Sequence, residues 1–362
     1  MTTPDYDTIP ELTYGLDLGD TTTHFTVLDA RGVVVDEGVV STNPKAFKRW
    51  FSERPQGRVV IEASTHSRWA SKLIDEEGFE VLIANPRRLS LIYADTIKTD
   101  RRDSLKLARL GRFEPRLLCP VHRRSDASHA GLVLLKGRDI LVRQRTSLIS
   151  FVRSSIKAMG VRISSPVRTE RFHVVAREDL SEEVLGLVAA VVDQVESLTE
   201  TIKAQDKQIE DLCREAYPET EVLREVKGVG PVTSLAFVLT IDDPTRFKRS
   251  RDVGAYLGLV PKRDQSGKID RQLSITKTGD AFMRRLLMQA ANYILRRPSP
   301  DTDLKRWGLG IAERGGQRGR QRAKVAIARK LAVLLHRLWT TGEVYMPIGH
   351  AAGRARQASP AG

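Results

Sequence analysis

At 362 residues, 41% of them hydrophobic, the chain is long enough for two or three domains with cores of their own and too apolar for global disorder. Its two cysteines, Cys119 and Cys213, lie far apart and exclude a disulfide framework or a cysteine-ligated metal. No apolar run approaches the roughly 20 residues that cross a bilayer, and the acidic start is not that of a signal peptide, so a cytoplasmic, nucleoid-associated protein with no membrane partner is expected. The net charge of +14 is concentrated at one end: residues 221–362 carry 27 basic side chains against 12 acidic ones. A footprint of that kind attracts phosphate polymers in a salt-dependent way. At 6% aromatic residues, broad base-stacking platforms are excluded.

Tyr14–Leu18, His24–Asp29 and Gly32–Val40 are expected as short strands, the last favoured by its Val33-Val34-Val35 run. Asn43-Pro44 then suits a helix start, because asparagine caps and proline fits the first turn. A buried strand follows at Arg58–Ile61, a helix at Thr65–Glu77, a strand at Glu80–Ala84 and a helix at Asp100–Leu110. The order β-β-β-α-β-α-β-α matches an α/β ribonuclease H-like domain, a mixed sheet with helices on its faces, over residues 10–125.

A helical connector is expected over 126–220. It has one helix from Leu132 to Met159 and a second with apolar steps of three and four from 184 to 212, including Val188, Val191, Val195, Leu198, Ile202, Ile209 and Leu212. Gln205 is a polar interruption of that seam. The seam fits either packing on the chain's own helices or a coiled coil with another copy.

The third region, 221–345, is expected to be mainly helical. It opens on Lys227-Gly228-Val229-Gly230-Pro231, a helix-hairpin-helix-like turn whose backbone N–H groups at Gly228 and Gly230 suit a DNA phosphate. Two stiff segments, Tyr256–Pro261 and Leu273–Gly279, flank the polar tip Lys262-Arg263-Asp264-Gln265-Ser266-Gly267-Lys268. A hydroxyl beside cations on an exposed turn suits attack at phosphorus when it is activated. By composition alone Ser266 is an ordinary turn serine, and Ser274 lies eight residues on. Lys262, Arg263, Lys268, Lys277, Arg284, Arg285, Arg318 and Arg320 are the candidate nucleic-acid contacts. The chain after Met346 is expected to be a disordered tail.

The chemistry is carried by carboxylates. In Lys98-Thr99-Asp100-Arg101-Arg102-Asp103-Ser104, Asp100 and Asp103 stand one helical turn apart. Asp17 and Glu62 end two predicted strands. Brought together, the four form an oxygen cage suited to magnesium or manganese, whose ions stabilise entering and leaving oxygens in phosphodiester chemistry.

Several pieces, in order, resemble the bacterial insertion-sequence transposases of the "one-ten" family: Gly15-Leu16-Asp17-Leu18-Gly19, Ile61-Glu62-Ala63-Ser64, Ala84-Asn85-Pro86, Lys98 to Asp103, Gly228 to Pro231, Leu257 to Pro261, Ser266-Gly267-Lys268 and Ile275 to Gly279. They span residues 12 to 345. The resemblance implies a DEDD domain similar to the resolvase RuvC, joined to a C-terminal transposase domain. It further implies that Asp17, Glu62, Asp100 and Asp103 bind divalent metal and that Ser266 forms a covalent link to DNA. Donor and target DNA, a non-coding bridge RNA and a homo-oligomer, dimer or tetramer, are the implied partners. Asp20, Ser64 and Ser104 depart from the family's usual lysine, threonine and alanine.

Two other readings remain. A RuvC-like junction nuclease or nucleic-acid-binding protein would cut by hydrolysis with no serine adduct. A nucleotide-binding, sugar-kinase-like protein would use Asp17 to Thr23 as a phosphate loop, but neither the second Asp-x-Gly loop nor the Gly-Gly motif of that class stands in a suitable context.

Overall fold

The computed structural model describes residues 9–87, 89, 99–266 and 269–349, and the chain divides into two compact units, residues 1–123 and 124–362. Lys98, Gly267, Lys268 and the tail from residue 350 lie outside the described residues.

The first unit is built on a five-stranded sheet in the order β3-β2-β1-β4-β5, with β1 Thr13–Leu18, β2 Thr22–Leu28, β3 Val34–Ser41, β4 Arg58–Glu62 and β5 Glu80–Ala84. β2 runs antiparallel to β1 and β3, while β4 runs parallel to β1 and β5. Helices α1, Pro44–Ser52, and α2, Ser67–Glu76, cover one face; α3, Asp100–Phe113, covers the other. This mixed sheet with helices on both faces is consistent with the ribonuclease H-like expectation.

Local sequence explains each of these elements. Asn43 caps α1 by accepting from the Ala46 N–H at 2.9 Å, with Pro44 in the first turn. β4 reads Arg-Val-Val-Ile-Glu because a central parallel strand is covered on both faces: Val59 and Ile61 pack with Tyr14, Phe47, Phe51 and Ile74, while Val60 packs with Leu107 and Leu110 of α3. Arg58, 1% exposed, is tolerated because it donates to Glu80 at 2.8 Å and to the Gly111 carbonyl at 3.0 Å.

The second unit holds the connector and the C-terminal region together. α4, Asp126–Ala158, and α6, Glu182–Glu215, run antiparallel, tied by Arg138 to Asp206 at 2.5 Å and Arg145 to Thr199 at 3.3 Å. α5, Phe172–Asp179, closes the far end of the pair, where Ile149, Val152 and Ile156 meet Phe172, Val184, Val188 and Val192. The heptad seam is thus covered by the chain's own α4. Val192 and Cys213 are buried in place of the expected Val191 and Leu212, since an undistorted helix drifts off a strict seven-residue repeat.

The near end of α4 and α6 shares a larger core with α7, Thr220–Arg224, α8, Pro231–Ile241, α9, Asp252–Tyr256, α10, Ala281–Ile294, α11, Asp303–Arg314, and α12, Gly319–Thr341. α8 is buried from Ser234 to Ile241 and forms the centre of that core. Between α9 and α10 the polar tip expected as a loop is a two-stranded antiparallel ribbon, β6 Pro261–Ser266 and β7 Ile269–Ile275.

Candidate active site

Three contacts orient the carboxylates of the first unit. A Cβ at Gly15 would lie 2.1 Å from the Ser104 carbonyl and 2.4 Å from the Ala108 nitrogen, so the backbone of α3 rests directly on β1 there. One at Gly111 would lie 2.1 Å from a Val60 methyl, and the Ser104 and Thr26 hydroxyls meet at 2.8 Å beneath the helix. α3 therefore crosses β1 and β4 with its N-terminal turn toward the ends of the strands that carry Asp17 and Glu62.

Side chains two apart in a strand share a face. Asp17 follows Gly15 and Glu62 follows Val60, so both carboxylates lie on the α3 face. They are also level with each other, one step beyond the paired Leu16 and Ile61. All four predicted acids thus occupy one end of one face of the sheet.

Their side chains are differently engaged. Asp100, 66% exposed, stands 3.7 Å from His24 Nε2, and His24 is the cross-strand partner of Asp17. Asp103 accepts from Lys106 at 3.1 Å. Thr99 caps the helix, and both acids sit in its first turn, where the helix dipole favours negative charge. Among the described residues, no group of three or more His, Cys, Asp or Glu side chains is placed to hold a metal ion. The donor chemistry and the shared face suit a hard divalent cation, with Asp103 held by Lys106 and Asp100 near His24.

Asp20 is turned away from this set. It meets His66 Nε2 at 3.1 Å, and the Trp69 indole N–H donates to His66 Nδ1 at 3.2 Å, which leaves the ring proton on Nε2 facing the Asp20 carboxylate.

Ser266 belongs to the second unit and ends β6 across from Ile269, exposed at the tip of the ribbon. The ribbon is braced along its length by Arg263, which binds Asp270 with both arms at 2.8 and 2.6 Å; that pairing lowers the Asp270 pKa and raises that of Arg263. At its base, two of the sequence motifs interlock. Gly258, at φ +67°, and Gly279 let Tyr256–Leu257 and Lys277–Gly279 touch backbone to backbone, since a Cβ on Gly279 would lie 2.1 Å from the Tyr256 carbonyl. Arg284 ties the junction by donating to the Leu257 and Gly279 carbonyls at 2.9 and 3.1 Å.

The other predicted contact residues divide by surroundings. Arg285 is bound through both arms to Asp139 at 2.7 Å each, so Arg284 and Arg285 both serve the fold. Gly228, at φ +96°, faces α10 closely, whereas Gly230 caps α8 with open space beside it. Lys262, Lys277, Arg318 and Arg320 are exposed, and Lys268 lies outside the described residues. Sequence reading missed His24, Lys106, Arg322 and Arg329. The pairing of His24 with Asp17 was available only from the β1–β2 register, and the two arginines only from the face of α12 they share.

Residues 14–159 match a DEDD transposase family model of the IS110 type, and residues 220–305 match the model described as transposase IS116/IS110/IS902 family. The chain belongs to the IS116/IS110/IS902 transposases. It is therefore an enzyme of a class that acts on DNA. Among its relatives, the transposase for insertion sequence element IS1111A of Coxiella burnetii is 29% identical over 297 residues, covering 80% of this chain and 79% of that one. A probable family 20 transposase of Pseudomonas aeruginosa is 26% identical, covering 82% and 88%. The transposase for IS1328 of Yersinia enterocolitica is 23% identical, covering 91% and 97%. The DEDD model covers the first unit, with all four carboxylates, and runs on through α4 of the second, whereas the other model lies wholly within the second unit. No helix among the described residues is long and apolar enough to cross a membrane.

Proposed function

We propose that this transposase cleaves and exchanges DNA strands through a covalent link to Ser266, with Asp17, Glu62, Asp100 and Asp103 as the ligands of magnesium or manganese. The reading rests above all on one observation: Asp17 and Glu62 end adjacent parallel strands on the face that receives the N-terminal turn of α3. Bound metal would supply charge stabilisation for the phosphate oxygens. The protein's own part is to hold four carboxylates on one rigid surface, with His24 beside Asp100 and Lys106 freeing Asp103.

Ser266 Oγ attacks phosphorus, a P–O bond to one strand breaks, and the serine proton passes to the departing strand's hydroxyl. Rejoining to a second strand reverses the step with a new hydroxyl, so the bond energy is conserved and no ATP is needed. The exposed ribbon suits this role because it presents the hydroxyl away from the core on a braced arm. Serine and carboxylates lie in different units, and a dimer or tetramer, organised by a bridge RNA pairing with donor and target DNA, is the assembly that completes the site. Gly230, Lys262, Lys277, Arg318 and Arg320 contact the nucleic acids.

The test is a denaturing gel of protein, magnesium, element-derived RNA and labelled donor and target DNA. A slow, protease-sensitive DNA band that Ser266→Ala removes, and that Asp100→Asn and Asp103→Asn suppress with RNA binding intact, is the expected result. Cleaved DNA with no adduct would replace this reading with hydrolysis, and an adduct that survives Ser266→Ala would move the nucleophile, with Ser274 next in line.

A further inference from the structure

A groove of about 790 Å³ runs at the base of the ribbon, between β7 and the first turns of α12. Its apolar side is formed by Leu259, Leu273 and Val325, and its polar side by Arg318, Arg322 and Arg329; no aspartate or glutamate lines it. Arg322 and Arg329, seven residues apart, share one face of α12 and Arg318 caps its start, so a rise of about 1.5 Å per residue spreads the three over about 16 Å. Several other arginines of this unit are matched by acids, among them Arg138 by Asp206, Arg177 by Glu196 and Arg306 by Asp301. Here none of the three has a hydrogen-bond or ion-pair partner among the described residues, and the stem of Arg329 packs over Gly254. Leu273, meanwhile, is 50% exposed above the groove.

We propose that this groove holds one unpaired nucleic-acid strand, its phosphates on Arg318, Arg322 and Arg329 and its sugars and base faces against Leu273 and Val325. Charge drawn out along a line suits a polyanion and wastes two arginines on a lone phosphate. The volume is in the range that encloses a drug-sized ligand, a few nucleotides at most, and is too small for a duplex. An apolar wall opposite the cations matches a strand whose bases are free, because bases in a duplex present no face to it. The proposal rests on the nucleic-acid function above and adds to it a place. β6 leads from the groove at Pro261 to Ser266 over about 17 Å, so a strand gripped here is delivered along the ribbon toward the hydroxyl.

The experiment is fluorescence anisotropy of the full-length protein, without metal, on labelled oligo-dT, oligo-rU and a duplex of matched length, about 12 nucleotides each, across a salt series. R318A/R322A/R329A is expected to lose at least tenfold in single-strand affinity and to lower the salt slope by about two, as expected for three lost phosphate contacts. Duplex binding should change by less than about threefold. R318K/R322K/R329K should retain most of the affinity, and the charge-matched control K157A/R162A/R168A should match wild type. Loss on dT alone assigns the groove to a DNA strand, and loss on rU alone to RNA; either supports the proposal. Unchanged single-strand affinity, an equal loss on the duplex, or an equal loss in the control would overturn it. Because the assay involves no strand exchange, a protein that grips strands here yet forms no Ser266 adduct would keep this proposal and refute the reading it rests on.

Discussion

His24 Nε2 lies 3.7 Å from the Asp100 carboxylate, and His24 is at the same time the residue directly across from Asp17 in the β1–β2 pair. His24 thus places its imidazole against Asp100 from the strand position facing Asp17, 83 residues away from Asp100 in the chain. It also ties the first turn of α3 to β2.

His24 is a positioning residue on this geometry. The contact is partly exposed and worth no more than about 1 kcal/mol of stability, so His24→Ala should melt within a few degrees of wild type. Strand exchange should fall further, about ten- to a hundredfold, because small misplacements of reacting groups are costly. His24→Gln, which keeps a donor, should recover part of the rate. Strand-exchange kinetics beside a thermal melt decide it, and an unchanged rate in His24→Ala would remove the positioning role.

The approach of α3 to β1 permits no side chain at Gly15. Gly15→Ala places a Cβ 2.1 Å from a backbone carbonyl, and backbone cannot swing aside as a flexible side chain does. A loss of at least about 3 kcal/mol is expected, read as a lowered denaturation midpoint. Wild-type stability would mean that helix and strand do not touch as described.

The order of strands and helices in the first unit was legible because each carries its own signal: the Asn43-Pro44 cap, the valines of β3, the apolar run of β4. The level placement of Asp17 and Glu62 on the α3 face was not, since it depends on strand register and on which face the helix covers. Both are settled by Gly15 and Gly111 meeting partners far away in sequence. The ribbon was read as a loop because Lys262 to Lys268 is polar throughout, and a two-stranded arm exposed on both faces shows no alternation of apolar residues. Likewise the heptad seam of α6 is real, but periodicity cannot say whose helix covers it, and here α4 does.

Gln205 occupies that seam with its side-chain carbonyl buried and without a hydrogen-bond partner among the described residues. An unsatisfied buried oxygen costs about 1–3 kcal/mol, and an apolar replacement of similar shape removes the cost. Gln205→Met should therefore raise the midpoint of thermal unfolding, by an amount near 1 kcal/mol. A fall instead would mean that the amide has a partner in the assembled protein, and RNA-bound or oligomeric samples would then show the difference.

Asp139 and Arg285 give the pH-dependent case. Burial pushes the Asp139 carboxyl up, but the two hydrogen bonds and charge of Arg285, joined by Arg143 at 3.0 Å, outweigh it and hold the pKa below the usual carboxylate range. A carboxyl depressed in the folded state contributes stability that is present above its unfolded pKa, about 3.9, and is lost as pH falls through the folded value. Arg285→Ala should thus cost about 1 kcal/mol at neutral pH, discounted for the partial exposure of the arginine. The gap from wild type should hold down to about pH 4 and narrow as the pH is taken lower. Melts across that range check it, with Asp139→Asn expected to show the same loss at neutral pH and no further loss on acidification at this site. If Arg285→Ala instead leaves stability untouched at every pH and weakens nucleic-acid binding, the arginine serves phosphate rather than the fold.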